Sequence, residues 1–368
     1  MATEKVLHMN GGVEETSYAN SSTFQRNVMK KVKPILEEIL TRICSNNIIT
    51  NCFKVADLGC SCGPNTLAAA YDIINNIMDH AESYKPSFQI FLSDLPGNDF
   101  NTLFKNMLPE FNQKLQREKG EKIGHCFIVG TPGTFYGRLF PSNSMHFFYS
   151  VYGLHWLSQV PRGYNNGVVP LNKGNIYLTK TSPPTVFKTY LNQFEEDFKL
   201  FLSCRSEELV QGGGMILTFI GRLENDELIT TMTLIGLALN DMVVENKIEE
   251  AKLDSFDVPY YAPTVNEVKE IIEAEGSFTV HRLEICKTGW EPDIDEINDF
   301  NDNIVFDKNM KAKSITKHMR TVSEALIKLH FGDDILDELF QRFTNKVTQI
   351  LEVNNMDYNN VVVSLTKN

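Results

Sequence analysis

The sequence predicts an α/β protein with a mostly parallel sheet, an antiparallel last strand and a helical cap. Three observations predict this fold class. Short apolar runs alternate with amphipathic segments through residues 1–220, which is typical of parallel strands covered by helices on both faces. A glycine turn joins the first apolar run directly to a helix. A final apolar run, residues 361–365, follows a long and mainly helical stretch.

Periodicity gives the order of the elements. Apolar residues at three- to four-residue spacing predict helices, and short apolar runs bounded by turn residues predict strands. A glycine triplet at residues 212–214 is expected to close the third helix, and the polar residues 112–124 are expected to form an exposed loop or a helix end. The predicted helices are 24–39, 67–78 and 186–210, and the predicted strands are 55–58, 88–94, 125–130, 145–151, 215–220, 278–284 and 361–365.

The change from alternating to mainly helical pattern predicts two parts. Residues 1–220, together with 276–286 and 357–368, are expected to form the sheet and its covering helices. Residues 221–275 and 287–356 are expected to form a mainly helical cap over the edge of the sheet that binds ligands.

Composition excludes several partners. The chain has 368 residues and a formal net charge of -12, which argues against nucleic acid because phosphate binding needs clustered Lys and Arg. No apolar run approaches the ~18 residues of a membrane span, and the first residues do not resemble a secretory signal. Seven scattered cysteines fit reduced thiols. The sequence predicts a cytoplasmic protein without a nucleic-acid or membrane partner.

The glycine turn at residues 59–63 is the first candidate ligand site. It follows a strand and opens a helix, which is how α/β proteins bring backbone amides to a ligand. Its G-x-x-x-G spacing is not the dinucleotide fingerprint, and the phosphate-loop lysine is missing. Asp57, just before the turn, suits a ligand with positive charge near a nucleoside, although strand-to-helix packing alone explains the pattern. Cys60 and Cys62 have no second pair at zinc spacing.

Other polar residues lie just after the predicted strands or on the first helix, where they could contact a ligand. Asp94 ends the second strand, where α/β folds place the carboxylate that binds ribose hydroxyls. Tyr152, His155 and Trp156 follow the fourth strand and are candidates for a pocket wall, with core packing as the alternative. Gln25 lies on the first turn of the first helix, where an exposed position is the simpler interpretation.

Six segments, in order along the chain, resemble one known family. They are VLHMNGG (6–12), SYA (17–19), ADLGCSCGPN (56–65), DLPGNDF (94–100), FYGRLFP (135–141) and LHWLSQVP (154–161). This set resembles the plant SABATH methyltransferases, which include salicylate, benzoate and jasmonate carboxyl methyltransferases and the N-methyltransferases of the caffeine pathway. The resemblance implies a class I S-adenosylmethionine-dependent methyltransferase fold, a helical cap and a homodimer.

The resemblance also implies roles for residues. Its donor-binding positions are Tyr18, Asp57, Cys60, Asn65, Asp94, Leu95, Thr134 and Phe135. Its acceptor-binding positions are Gln25, Tyr152, His155 and Trp156. Some members are described with a Mg²⁺ site, whose matching positions are Asn172, Asp254, Phe256 and Asp257.

Several positions depart from the family pattern. Ser93 replaces an Asn, Thr134 replaces a Ser, and Asp257 stands where Asn is usual. Met232 falls where salicylate-type members carry a pocket Trp, and His155 stands where a Met marks salicylate preference. These departures leave the pocket shape open and favour a benzoate-like or jasmonate-like acid.

The implied reaction is methyl ester formation on a small carboxylic acid, with Gln25 and Trp156 orienting the carboxylate. It needs no catalytic base, since an acid with a pKa of ~4 is already ionised at pH 7. The alternative within the family is N-methylation of a xanthine or related heterocycle, with His155 accepting or relaying a proton. A small-molecule receptor without transfer activity is a third interpretation. The glycine spacing disfavours a nicotinamide-dependent oxidoreductase.

Overall fold

One seven-stranded sheet organises the computed structural model, which describes residues 22–46, 52–81, 85–161, 172–224, 230–290 and 307–368. Its strands lie in the order β3-β2-β1-β4-β5-β7-β6. Strands β1 to β5 pair in parallel, and β7 is antiparallel to both of its neighbours, β5 and β6. The predicted fold class is confirmed. The strands are β1 (Cys52–Leu58), β2 (Ser87–Asp94), β3 (Cys126–Pro132), β4 (Met145–Val151), β5 (Leu209–Gly221), β6 (Phe278–Thr288) and β7 (Tyr358–Lys367).

Helices cover the sheet and extend beyond its carboxyl edge. Helix α4 includes most of the polar segment 112–124, because Phe111 and Leu115, one helical turn apart, are buried while their neighbours face solvent. The helices are α1 (Thr23–Ser45), α2 (Pro64–Asp79), α3 (Phe100–Thr102) with a π-helical turn (Leu103–Met107), α4 (Leu108–Lys119) with a 3₁₀ turn (Gly120–Lys122), α5 (Pro184–Glu208), α6 (Thr231–Val244), α7 (Glu250–Asp254), α8 (Val265–Glu275), α9 (Lys308–Phe331) and α10 (Leu336–Ile350).

The glycine triplet 212–214 lies inside a strand and does not close a helix, so that expectation is wrong. Helix α5 ends at Glu208 and β5 begins at Leu209. A Cβ on Gly214 would lie 2.9 Å from both the Ile43 side chain and the Leu365 carbonyl oxygen. The glycines are therefore required where helix α1 and strand β7 approach the backbone of β5 closely.

The topology defines where a ligand meets the sheet. The strand order reverses between β1 and β4, which are neighbours in the sheet although they are far apart in sequence. In open α/β sheets, ligands bind in the crevice outside the carboxyl ends of the strands at such a point. The loops that follow β1, β2, β3 and β4 all meet at this edge.

The predicted division into core and cap stays a prediction. Helix α8 packs against α5 and β6. Helices α6 and α9 both pack against α10, and both also contribute residues to the cavity described below. Among the described residues, no helix is both long and apolar enough to cross a membrane.

Candidate active site

A cavity with about 1130 Å³ of space, its open mouth included, lies at the switch point of the sheet. Its wall combines the loops after β1 to β4 with residues of α1, α6, α9 and β7. Among its described lining residues there is one carboxylate and no Lys or Arg. The lining residues are Gln25, Gly59, Ser61, Asp94, Leu95, Asn98, Thr134, Phe135, Tyr136, Val151, Tyr152, Gly153, His155, Trp156, Leu157, Ser158, Ile220, Thr231, Met232, Tyr260, His318, Met319, Val322 and Tyr358.

The glycine turn forms one end of this cavity. Its sharp path needs a left-handed backbone at Gly59, with φ 82°, and again at Ser61, with φ 55°. The backbone N–H groups of Gly59 and Cys60 donate to the Ser93 carbonyl at 2.9 and 3.1 Å, which ties the turn to β2. The Ser61 hydroxyl is buried and has no hydrogen-bond partner among the described residues. Sequence reasoning passed over Ser61, although it stands at the centre of the turn.

Asp94 is oriented at the cavity by two backbone amides. Its Oδ2 accepts from the N–H of Ser61 and its Oδ1 from the N–H of Leu95, both at 2.7 Å. The Asn98 amide donates to the Ser61 carbonyl at 3.0 Å and closes the same corner. A carboxylate offers about four lone-pair sites and can accept several hydrogen bonds at once, as binding of a ribose diol requires. The strand-end argument thus placed Asp94 at the cavity wall.

Asp57 lies behind the turn and not on the cavity wall. Its Oδ2 accepts a hydrogen bond of 2.5 Å from the Thr66 hydroxyl at the start of α2. Burial raises the pKa of Asp57 to about 7; the Thr66 bond lowers it and the nearby Asp94 charge raises it. The negative charge at the turn therefore comes mainly from Asp94, and a cationic ligand nearby would favour the ionised form of Asp57 as well.

The other predicted donor-binding residues divide into two groups. Leu95, Thr134 and Phe135 line the cavity. Cys60 and Asn65 do not, because the Cys60 thiol contacts the Ser61 carbonyl and the Asn65 side chain bonds to α1 through the Ser22 carbonyl and the Arg26 guanidinium. Tyr18 lies outside the described residues. The donor-binding roles of all these residues stay predictions.

The segment 133–137, here called the donor loop, is held by a buried ion pair. Arg205 and Glu208 on α5 are fully buried, and the Arg205 Nε bonds to the Glu208 carboxylate at 2.7 Å. The same guanidinium donates to the carbonyls of Phe135 at 2.9 Å and Gly137 at 2.8 Å. One charged side chain thus fixes the backbone on both sides of Tyr136.

Gln25 lies on the acceptor side of the cavity and is 4% exposed, so the expectation of an exposed helix residue is wrong. Its Oε1 is buried and has no hydrogen-bond partner among the described residues. A buried amide without a partner is costly unless a ligand or water binds it. Rotation of the amide exchanges its N–H₂ and C=O groups, so it can donate or accept.

Tyr152 has a backbone conformation that is unusual for a bulky residue, with φ 62°. Its N–H donates to the Thr218 carbonyl at 2.8 Å, and its hydroxyl donates to Oδ1 of the buried Asn360 on β7. Strained backbone held by surrounding bonds is typical of ligand sites. Tyr152 is therefore fixed in place at the cavity wall.

His155 is a neutral hydrogen-bond donor in this site. Its Nδ1 accepts the N–H of Ile220 at 3.3 Å, so the ring proton lies on Nε2. Burial, with a smaller contribution from His318, lowers the pKa of His155 to about 3. This geometry does not support the proton-accepting role that the alternative interpretation gave to His155.

Trp156 lies on the cavity wall beside His155 and Tyr260, with ring centroids 5.7 and 5.8 Å away. The far wall, which the sequence reasoning missed apart from Met232, comes from distant parts of the chain. Its aromatic and sulfur-containing residues carried no local signal of a shared site. They are Tyr260, His318, Met319 and Tyr358.

The predicted Mg²⁺ positions lie away from the cavity wall and bond to the protein itself. The Asn172 Oδ1 accepts from the Ser182 hydroxyl at 2.7 Å, and the Asp254 Oδ1 accepts from the Gly174 N–H at 2.8 Å. Phe256 packs against Phe331. Within the described ranges, no group of three His, Cys, Asp or Glu residues could hold a metal ion. The predicted Mg²⁺ set, which also includes Asp257, stays a prediction, since amide and backbone oxygens can bind Mg²⁺ as well.

This sheet order, the glycine turn after β1 and the acid at the end of β2 define a class I S-adenosylmethionine-dependent methyltransferase. The residues present fit that cofactor: the buried Ser61 hydroxyl has no hydrogen-bond partner among the described residues, and Asp94, Gly59 and Gly153 line the same cavity.

Comparison with known proteins gives the same class. A family model described as SAM dependent carboxyl methyltransferase matches residues 4–368, so the chain belongs to this family of methyltransferases, the SABATH family. It is 45% identical to a probable caffeine synthase, MTL2, of Coffea canephora and 43% identical to 3,7-dimethylxanthine N-methyltransferase 1 of Coffea arabica, over 100% of this chain and 98% of each relative. Among solved structures, it resembles loganic acid methyltransferase with SAH, at 30% identity and a TM-score of 0.83 over 98% of both chains.

Proposed function

We propose that this protein forms the methyl ester of a small carboxylic acid. The observation that carries the proposal is the chemistry of the acceptor wall, where Gln25, His155 and Trp156 present neutral hydrogen-bond donors to the cavity. Gln25 presents a buried amide, His155 is a neutral donor, and Trp156 adds an indole N–H. A carboxylate is already ionised at neutral pH and needs donors, not a base.

S-adenosylmethionine, when bound, supplies an electrophilic methyl group on a sulfonium. The protein's own contribution is to hold the acceptor carboxylate and to exclude water from it. Gln25 and Trp156 are expected to donate to the carboxylate oxygens, and the Nε2–H of His155 is a third donor on the same wall. Tyr152, fixed through Asn360, limits the position of the acceptor.

Neutral donors suit this reaction better than a cation. A Lys or Arg would stabilise the negative charge of the carboxylate in the ground state. Because that charge is lost as the ester forms, this stabilisation would raise the barrier to methyl transfer. The lining residues that the structure describes include neither. The wall therefore orients the acid while leaving its oxygen nucleophilic.

The second candidate is N-methylation of a xanthine or related heterocycle, which the names of the relatives in Coffea favour. A heterocyclic N–H must lose a proton before or during transfer. His155 is poorly suited to accept it, because its Nδ1 is bonded to Ile220 and its pKa is lowered to about 3. With such an acceptor, His155 would instead donate to a ring carbonyl.

One assay separates the candidates. The purified protein is incubated with S-adenosylmethionine labelled in its methyl group and with benzoate, salicylate, jasmonate, 7-methylxanthine or 3,7-dimethylxanthine. Alkali releases the label from a methyl ester as methanol but leaves an N-methyl group intact. We expect alkali-labile product from an acid. Alkali-stable product from xanthines alone would overturn the proposal, and binding without transfer would indicate a receptor.

The acceptor role of Gln25 is tested by replacing it with Ala. We expect Gln25→Ala to raise the KM for the acid about tenfold or more, since a hydrogen bond to a charged group is worth about 1.5 to 3 kcal/mol. Gln116→Ala, the same change at an exposed position on α4, is the matched control. Unchanged kinetics in Gln25→Ala would rule out the carboxylate contact.

A further inference from the structure

Two loops meet at the centre of the cavity. The donor loop, residues 133–137, lies on one side, and residues 153–158, here called the acceptor loop, lie on the other. The Tyr136 hydroxyl donates to the Trp156 carbonyl at 2.6 Å and joins the two loops. Gly153 also faces Phe135, since a Cβ on this glycine would lie 3.3 Å from the Phe135 ring.

Tyr136 is well placed to act as a fixed point. Arg205 binds the carbonyl groups of Phe135 and Gly137, on either side of Tyr136. The Phe135 ring packs edge-on against the Tyr136 ring, with 4.8 Å between the ring centroids. Burial, followed by the charge of Asp197, raises the pKa of Tyr136 well above its ordinary value. Its hydroxyl therefore keeps its proton and remains a donor.

The acceptor loop is also anchored to helix α5 and to the segment that precedes α8. The Ser158 N–H and hydroxyl donate to both oxygens of Asp197 on α5, at 2.8 and 2.6 Å. The Leu157 N–H donates to the Pro259 carbonyl at 2.8 Å. The bond from Tyr136 to the Trp156 carbonyl joins the backbone of Trp156 directly to the donor loop.

We propose that Tyr136 is a positioning residue that couples the donor and acceptor sites. Because Arg205 already holds the donor loop, a contact of the donor with Phe135 is passed through the Tyr136 hydroxyl to the backbone of Trp156, so donor binding strengthens acceptor binding. By linkage, the acceptor strengthens donor binding by the same factor. This inference rests on the proposed function in one respect, the contact of Trp156 with the acceptor.

The test compares Tyr136→Phe with Tyr190→Phe. Both changes remove a tyrosine hydroxyl that donates to a backbone carbonyl, but Tyr190 bonds to Val258 and does not line the cavity. Calorimetry measures the affinity for the best acceptor of the panel above, with and without saturating S-adenosylhomocysteine. Steady-state kinetics give the KM for that acceptor and kcat.

We expect S-adenosylhomocysteine to tighten acceptor binding in the wild type and in Tyr190→Phe. In Tyr136→Phe, this tightening should shrink about fivefold, the effect of one net hydrogen bond, while the affinity for S-adenosylhomocysteine alone is unchanged. The KM for the acceptor should rise by a similar factor.

Three results would overturn the inference: no tightening in the wild type, the same tightening in Tyr136→Phe, or an equal loss of acceptor affinity with and without S-adenosylhomocysteine. Failure of the proposed function gives a different result, namely a wild type that methylates only xanthines. The Tyr136→Phe and Tyr190→Phe variants are then compared with the xanthine as acceptor, and the same three results would overturn the inference.

Discussion

Replacement of Arg205 by Met tests how strongly the buried ion pair supports the donor loop. The guanidinium bonds to one carboxylate and two backbone carbonyls, and both charged side chains are fully buried. Removing one member of a buried pair costs about 3 to 5 kcal/mol when the remaining charge is left uncompensated. Here the Arg138 Nε, 3.4 Å from Glu208 Oε1, compensates part of that charge, while the two orphaned carbonyls add to the loss, so we expect Arg205→Met to fall within this range.

A second variant separates the charge from the hydrogen bonds. Glu208 Oε1 also accepts the N–H groups of Leu139 and Phe140, at 2.6 and 3.0 Å. In Arg205→Met/Glu208→Gln, the amide oxygen can keep these two bonds while no charge remains buried. We expect the double variant to regain part of the lost free energy of unfolding.

Urea unfolding followed by circular dichroism measures these differences. We expect the midpoint to fall strongly in Arg205→Met and to recover partly in the double variant. Arg205→Lys, which keeps the charge, covers the case in which the Met variant does not fold, and its loss should be intermediate. A Met variant as stable as the wild type, or a double variant less stable than Arg205→Met, would refute the reasoning.

Three further predictions follow from the site. Asp57 holds a proton in the folded state that the unfolded chain loses above about pH 4, so the free energy of unfolding of the cofactor-free protein should fall from pH 4 to 7. In thermal unfolding, Asp57→Asn should remove this slope and gain up to about 4 kcal/mol at pH 8. The same variant should bind S-adenosylhomocysteine more weakly. Because burial lowers the pKa of His155 to about 3, His155 should contribute no limb to the pH profile of initial rates with an acid between pH 6 and 9; a limb near pH 6.5 that disappears in His155→Gln would contradict this. Ser61→Ala should change the free energy of unfolding by no more than about 0.5 kcal/mol and should raise the calorimetric Kd for S-adenosylhomocysteine about fivefold. An unchanged Kd would show that the hydroxyl does not contact the donor.

The sheet and the position of Asp94 at its carboxyl edge could be predicted from sequence because their signals are local. A strand of alternating burial ending in Asp94 needs only a few consecutive residues to recognise. The glycine triplet misled because its role depends on Ile43 and Leu365, which lie far away in sequence. Local pattern alone cannot distinguish a helix stop from a close approach of two backbones.

The acceptor wall could be predicted only in part, for a related reason. His155 and Trp156 follow directly after a strand and so share its position at the edge of the sheet. His318 on α9 and Tyr358 on β7 reach the same cavity only through the packing of helices and an antiparallel strand. Asn65 shows the opposite case, since its place in the motif is clear but its side chain bonds to α1.

The position of β7 in the sheet determines which parts of the fold can form during synthesis of the chain. This strand enters between β5 and β6, although both precede it in the chain. On the ribosome, the donor half can assemble while β5 and β6 still expose unpaired edges, which invite pairing with other nascent chains. Tyr358 and Asn360 arrive with β7, so a partly synthesised chain lacks Tyr358 on the cavity wall and the Asn360 bond that holds Tyr152.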